Sequence, residues 1–87
     1  MFRLYVGSNN ETGKLERKKI EKIVSGYFEG FTAYRAMGYW RGQKERTLIV
    51  EIETKETDKV KNLITELKKE LKQQAIGLVK APKMIFI

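Results

Sequence analysis

Residues 31–53 read FTAYRAMGYWRGQKERTLIVEIE. Alternating side chains lie on either side of RGQKER (residues 41–46), in which Gly42 is the flexible point. The pattern predicts two antiparallel strands, Phe31 to Trp40 and Thr47 to Glu53, joined by a hairpin turn over RGQKER. In the first, Thr32, Tyr34, Ala36, Gly38 and Trp40 share a face read as inward, and Phe31, Ala33, Arg35, Met37 and Tyr39 share the other. In the second, Leu48, Val50 and Ile52 point inward while Ile49, Glu51 and Glu53 point outward. The fold then depends on what flanks this hairpin.

Upstream, Phe2, Leu4 and Val6 alternate with Arg3, Tyr5 and Gly7, which predicts a strand over residues 2–7. GSNNETG follows as a loop dense in turn formers. From Lys14 to about Phe28, Ile20, Ile23, Val24, Tyr27 and Phe28 recur at helical spacing, with Gly26 inside the helix and Gly30 as its stop. Downstream, Val60, Leu63, Ile64, Leu67 and Leu71 predict a second helix from Thr57 to Gln74. Ala75 to Lys80 reads as a fourth strand. Pro82 interrupts it, and KMIFI (residues 83–87) is expected to resume as a short edge segment, paired within the sheet or with a neighbouring subunit. The order is β-α-β-β-α-β. Right-handed crossovers make this a single ferredoxin-like α+β domain over residues 1–87, one antiparallel sheet with two helices on one face.

At 87 residues the core is thin, and burial by self-association is an obvious supplement. No apolar run approaches a membrane span, and no signal-like segment precedes the first strand, so a cytoplasmic location is expected. The chain has no Cys and no His, which removes disulfides, thiolate nucleophiles, imidazole bases and the usual zinc ligands. Freedom from Cys with abundant mixed Lys and Glu is also a heat-adapted composition. A net charge of +7 draws polyanions at low salt, although pairs such as Glu16 with Lys19 read as solvated helix surface.

RLYVGSN resembles the second ribonucleoprotein motif of RNA-recognition domains, in which an aromatic residue, here Tyr5, stacks a base. The third strand, RTLIVEIE, departs from the partner motif and sets Glu51 and Glu53 where phosphate would approach, so Tyr5 reads as a packing or interface residue. GYWRGQK is similar to a stretch of the nitrogen-regulatory PII signal transducers. That resemblance would set Gly38, Arg41 and Lys44 against nucleotide phosphates and implies a trimer. Trp40 stands where that family has glycine, Gly42 intrudes before Gln43, and the long regulatory loop is missing. A further resemblance is to a family of small uncharacterised proteins of bacteria, archaea and archaeal viruses. It rests on Leu4 to Gly7, Phe28-Glu29-Gly30-Phe31-Thr32, Gly38-Tyr39-Trp40, Glu45 and the pair Gln73 and Gln74, and it implies the fold without an activity.

These readings converge on a non-catalytic, homo-oligomeric binding module that uses no metal and no cofactor. The open sheet face is expected to carry Arg3, Tyr5, Phe31, Ala33, Met37, Tyr39 and Ile49, too apolar to stay in water on a small monomer. Tyr5, Phe31, Met37, Ile49, Met84 and Phe86 are the expected interface of a dimer or trimer. Arg3, Tyr5, Tyr39, Trp40, Arg41 and Lys44 are the candidate contacts to nucleic acid or a small anionic ligand, and a basic nucleic-acid binder is the alternative function. Trp40 is expected to lid the core. Glu51 is expected to pair across strands with Arg35, and no catalytic constellation is expected among the carboxylates and hydroxyls.

Overall fold

A computed structural model describes residues 1–87 apart from Asn10 and Gln74, with the backbone but not the side chain of Trp40. Six elements follow in order: β1 (Phe2–Gly7), α1 (Arg17–Ser25), β2 (Thr32–Trp40), β3 (Gln43–Ile52), α2 (Thr57–Glu70) and β4 (Gly77–Lys80). They form a four-stranded sheet in the order β2-β3-β1-β4, every neighbouring pair antiparallel. This is the ferredoxin-like arrangement. No helix among the described residues is long and apolar enough to cross a membrane.

The core forms because one face of each central strand is apolar at every second residue. Phe2, Leu4 and Val6 of β1 and Leu48, Val50 and Ile52 of β3 bury against Ile20 and Val24 of α1 and Val60, Leu63 and Leu67 of α2. Leu71, just past α2, closes the same cluster. The helices meet it with their apolar stripes, while Lys22 at the end of α1 and Lys68 and Lys69 at the end of α2 suit the negative helix termini. Asn9, buried between β1 and α1, accepts hydrogen bonds through Oδ1 from the backbone N–H of Glu11 (2.8 Å) and Thr12 (3.3 Å), which fixes the loop as an Asx turn.

The second strand faces the other way from the expectation. Ala33 pairs with Val50, Arg35 with Leu48 and Met37 with Arg46, so Ala33, Arg35, Met37 and Tyr39 lie on the helix side. Thr32, Tyr34, Ala36 and Gly38 belong to the open face. Both faces of TAYRAMGYW carry aromatic and small residues, so its alternation fits either orientation, and a one-residue slip exchanges them. Phe31, expected on the open face, packs against the core as a partly buried residue. The lid role of Trp40 concerns a side chain outside the described set.

The connection is also tighter than RGQKER suggested. Only Arg41 and Gly42 turn, with φ of 51° and 78°, and Gln43 already belongs to β3. Positive φ at both central residues matches the right-handed twist of the two strands. Residues Gln43 to Arg46 are exposed, so the end of the β2–β3 ribbon runs beyond the helical layer.

Element ends differ as well: the first helix begins at Arg17 rather than Lys14, and β4 begins at Gly77 rather than Ala75. The first helix stops at Ser25, and Gly26 is its cap rather than an interior residue, four positions before Gly30. The second helix ends at Glu70, and its expected last residue, Gln74, lies outside the described residues. KMIFI forms no strand: after Ala81, whose N–H donates to the carbonyl of Met1 (2.7 Å), the chain leaves the sheet at Pro82. Only the N–H of Met84 is held, by Glu53 Oε2 at 2.8 Å, while Ile85, Phe86 and Ile87 are exposed.

Candidate functional site

The open face is built around the row Tyr5, Ile49 and Tyr34, three residues in register across β1, β3 and β2. Ile49 is only 4% exposed although no helix covers it, because the two tyrosines beside it keep solvent off; each of them remains about two-fifths exposed (41% and 42%). Gly77 of β4 completes the row. A Cβ there would come within 3.2 Å of the Tyr5 Cβ, so glycine is what lets β4 approach the ring.

Beside this row lies a polar cluster. Arg3 Nε donates to Glu51 Oε2 at 2.7 Å, and the Tyr34 hydroxyl donates to the same oxygen at 3.1 Å. Glu51 raises the Arg3 guanidinium above its usual range, with Tyr5 adding to the effect. The Tyr34 phenol is also raised, first by desolvation and then by its bond to Glu51. The partner of Glu51 is therefore Arg3 rather than Arg35, which the reversed facing of β2 carries to the other side of the sheet.

Toward the ribbon end of the same face, Tyr5, Gly7, Ser8, Glu45, Thr47, Gln73 and Ala75 line a cleft of about 380 Å³. Three elements make it. The end of β1 supplies Tyr5 and Gly7, the start of β3 supplies Glu45 and Thr47, and the segment after α2 supplies Gln73. Gln73 Nε2 donates to the carbonyls of both Gly7 and Ser8 (2.9 Å to Ser8), which ties that segment across the end of β1. Gly7 and Ala36 pair with Thr47, and Gly38 pairs with Glu45, so the directly opposed residues are small. The result is a carboxylate, a hydroxyl and an aromatic ring around one opening. No group of three or more His, Cys, Asp or Glu positioned to hold a metal exists among the described residues.

The candidate ligand contacts do not form one surface. Arg3 and Tyr5 lie on the open face, Tyr39 and Lys44 on the helix side, and Arg41 in the turn. The expected interface is divided too. Tyr5 and Ile49 are on the open face, Met37 is on the helix side, and Met84 and Phe86 line a separate cleft with Phe31. Sequence reasoning missed Tyr34 because it was assigned inward, and it missed Thr47 because its place at the cleft arises from long-range packing; Gln73 was noted only as part of the Gln73 and Gln74 pair, with no place at a site. Glu45 carried a signal, as the acidic residue just beyond G-x-W.

No protein-family model matches the chain, and no curated protein does. Among solved structures it is similar to a phage SAM lyase in the apo state, with a TM-score of 0.68 and 22% sequence identity over 88% of this chain and 74% of that one. This likeness corrects the expectation of a non-catalytic module: the same fold carries a lyase there. Lack of His and Cys excludes imidazole and thiolate chemistry but leaves other catalysis open, so the absence of those residues was too narrow a ground for excluding an enzyme.

Proposed function

We propose that the chain is a lyase acting on S-adenosylmethionine, with the Glu45 cleft as its active site. The observation that carries this reading is the cleft itself, a carboxylate and an aromatic ring sharing an opening on a fold similar to that of a SAM lyase. The substrate is a sulfonium cation. Glu45 supplies the opposite charge, and the face of Tyr5 supplies a second attraction for a cation. Thr47 offers a hydroxyl to the polar parts of the substrate, and the Gln73 bonds hold the rim in place.

The chemistry suits a chain without His or Cys. When a carbon–sulfur bond of the sulfonium breaks, the electron pair stays on sulfur, which leaves as a neutral thioether and needs no general acid. The carbon fragment completes its valence from within, by an internal bond or by loss of a proton, so no water is consumed. The protein's work is to position the cation and keep water away.

The test is incubation of the protein with S-adenosylmethionine and chromatographic measurement of the thioether product. Wild type is expected to form it, and Glu45→Gln is expected to lower the rate by about 10²-fold or more while the circular-dichroism spectrum is unchanged. No product from the wild type, or an equally active variant, overturns the reading.

Self-association as a dimer or trimer belongs to the same proposal. It is supported by the unpaired β4 edge and, separately, by Ile85, Phe86 and Ile87, three consecutive exposed apolar residues.

A further inference from the structure

The two faces of the β2–β3 ribbon are sorted by charge. Glu45 is on the open face, whereas the helix side carries Arg35, Arg46 and Lys44 and no acidic residue. Arg35 and Arg46 stand diagonally across the strand pair, and with Leu15, Ala36 and Met37 they line a cleft of about 440 Å³. Among the described residues no ion pair or side-chain hydrogen bond engages Arg35, Arg46 or Lys44, in contrast to Arg3 and Arg17, each held by a glutamate. Like charges at diagonal positions repel, and here no acid relieves them.

We propose that this helix-side cleft is a second binding site, one that takes the phosphate group of a nucleotide or a nucleic-acid strand between Arg35 and Arg46. Guanidinium forks bind phosphate oxygens in pairs, and a phosphate set between two of them removes their repulsion. Leu15 and Met37 give the cleft apolar walls, which suits an ester with an apolar or aromatic part better than a bare ion. Farther along the same face, Lys44 pairs with Tyr39, which is 65% exposed, so a strand leaving the cleft would meet a further cation and a stacking ring. The site shares no residue with the Glu45 cleft and does not depend on the reading of that cleft.

The test measures binding of inorganic pyrophosphate, a nucleoside triphosphate and a short oligothymidylate to the full chain at about 0.15 M salt. The variants are Arg35→Gln/Arg46→Gln and a control, Lys61→Gln/Lys69→Gln, which removes the same charge from exposed positions of α2. Affinity for at least one probe is expected to fall about tenfold or more in the arginine variant and less than about twofold in the control. Loss confined to the oligothymidylate assigns the site to a strand, and loss for the triphosphate assigns it to a free nucleotide. Arg35→Lys/Arg46→Lys, which keeps the charge but not the fork, is expected to bind more weakly than wild type. The proposal is overturned if no probe binds the wild type at this salt, or if the control loses as much affinity as the arginine variant.

Discussion

Tyr34 is the residue whose environment makes the most specific demand. Its phenol is raised by desolvation and by the bond to Glu51, and that of Tyr27 is raised chiefly by its 3.0 Å bond to Glu66. In both, the neutral phenol is favoured in the folded state. A raised folded value contributes stability that is fully present below about pH 10, where an unfolded tyrosine ionises, and that is lost as pH rises through the folded value. Melting temperature is therefore expected to drop above about pH 10, and less steeply in Tyr34→Phe/Tyr27→Phe than in wild type. All other ionisable groups are common to both proteins, so the difference between the two curves isolates these two phenols. Parallel curves would show that neither tyrosine contributes to the alkaline loss. Ile49 shows how far a residue's role depends on its neighbours: its outward facing was legible from alternation, but its burial comes from Tyr5 together with Tyr34, and the sequence placed Tyr34 on the opposite face.

Among the elements, β1, β3 and α2 were legible because each presents one unmistakable face: Phe2, Leu4 and Val6; Leu48, Val50 and Ile52; and Val60, Leu63 and Leu67. Strand β2 was legible in place but not in facing, since its register is set by pairing with β3 rather than by its own pattern. The candidate site inherited that error, because the β3 side chains that share a face with each β2 residue changed with it. The cleft rim was illegible for a different reason: Gln73 reaches Gly7 across most of the chain length, and no local spacing encodes that contact. The ribbon turn carries a testable consequence. Gly42 adopts φ of 78°, and a Cβ there would meet no atom within 4 Å, so the cost of a side chain is conformational alone. Gly42→Ala is expected to lower stability by about 1–2 kcal/mol, read from a urea midpoint with unchanged slope. A midpoint within error of wild type would show that the turn relaxes to another type.

At the scale of the whole molecule, the ribbon and the tail extend a small body to 38 × 24 × 19 Å. Among the described side chains the tail holds the largest unexplained apolar exposure, with Ile85 at 81% and Phe86 at 80%. Pro82 and the single Met84 to Glu53 bond steer it away from β4, whose outer edge is left with unpaired backbone groups. Exposed apolar side chains and an open strand edge each favour a second copy of the chain, which removes either from water. Sedimentation at micromolar concentration is expected to give a dimer or trimer. Ile85→Asp/Phe86→Asp is expected to shift it to the monomer mass without altering the helical circular-dichroism signal, since neither side chain belongs to the core cluster. The same variant also separates assembly from chemistry. The Glu45 cleft lies within one protomer, so thioether formation that survives in the monomer would show that a single chain suffices. Activity lost together with the mass would show that the cleft is completed across subunits. A wild type that sediments as a monomer overturns the assembly, and the exposed tail would then need another cover.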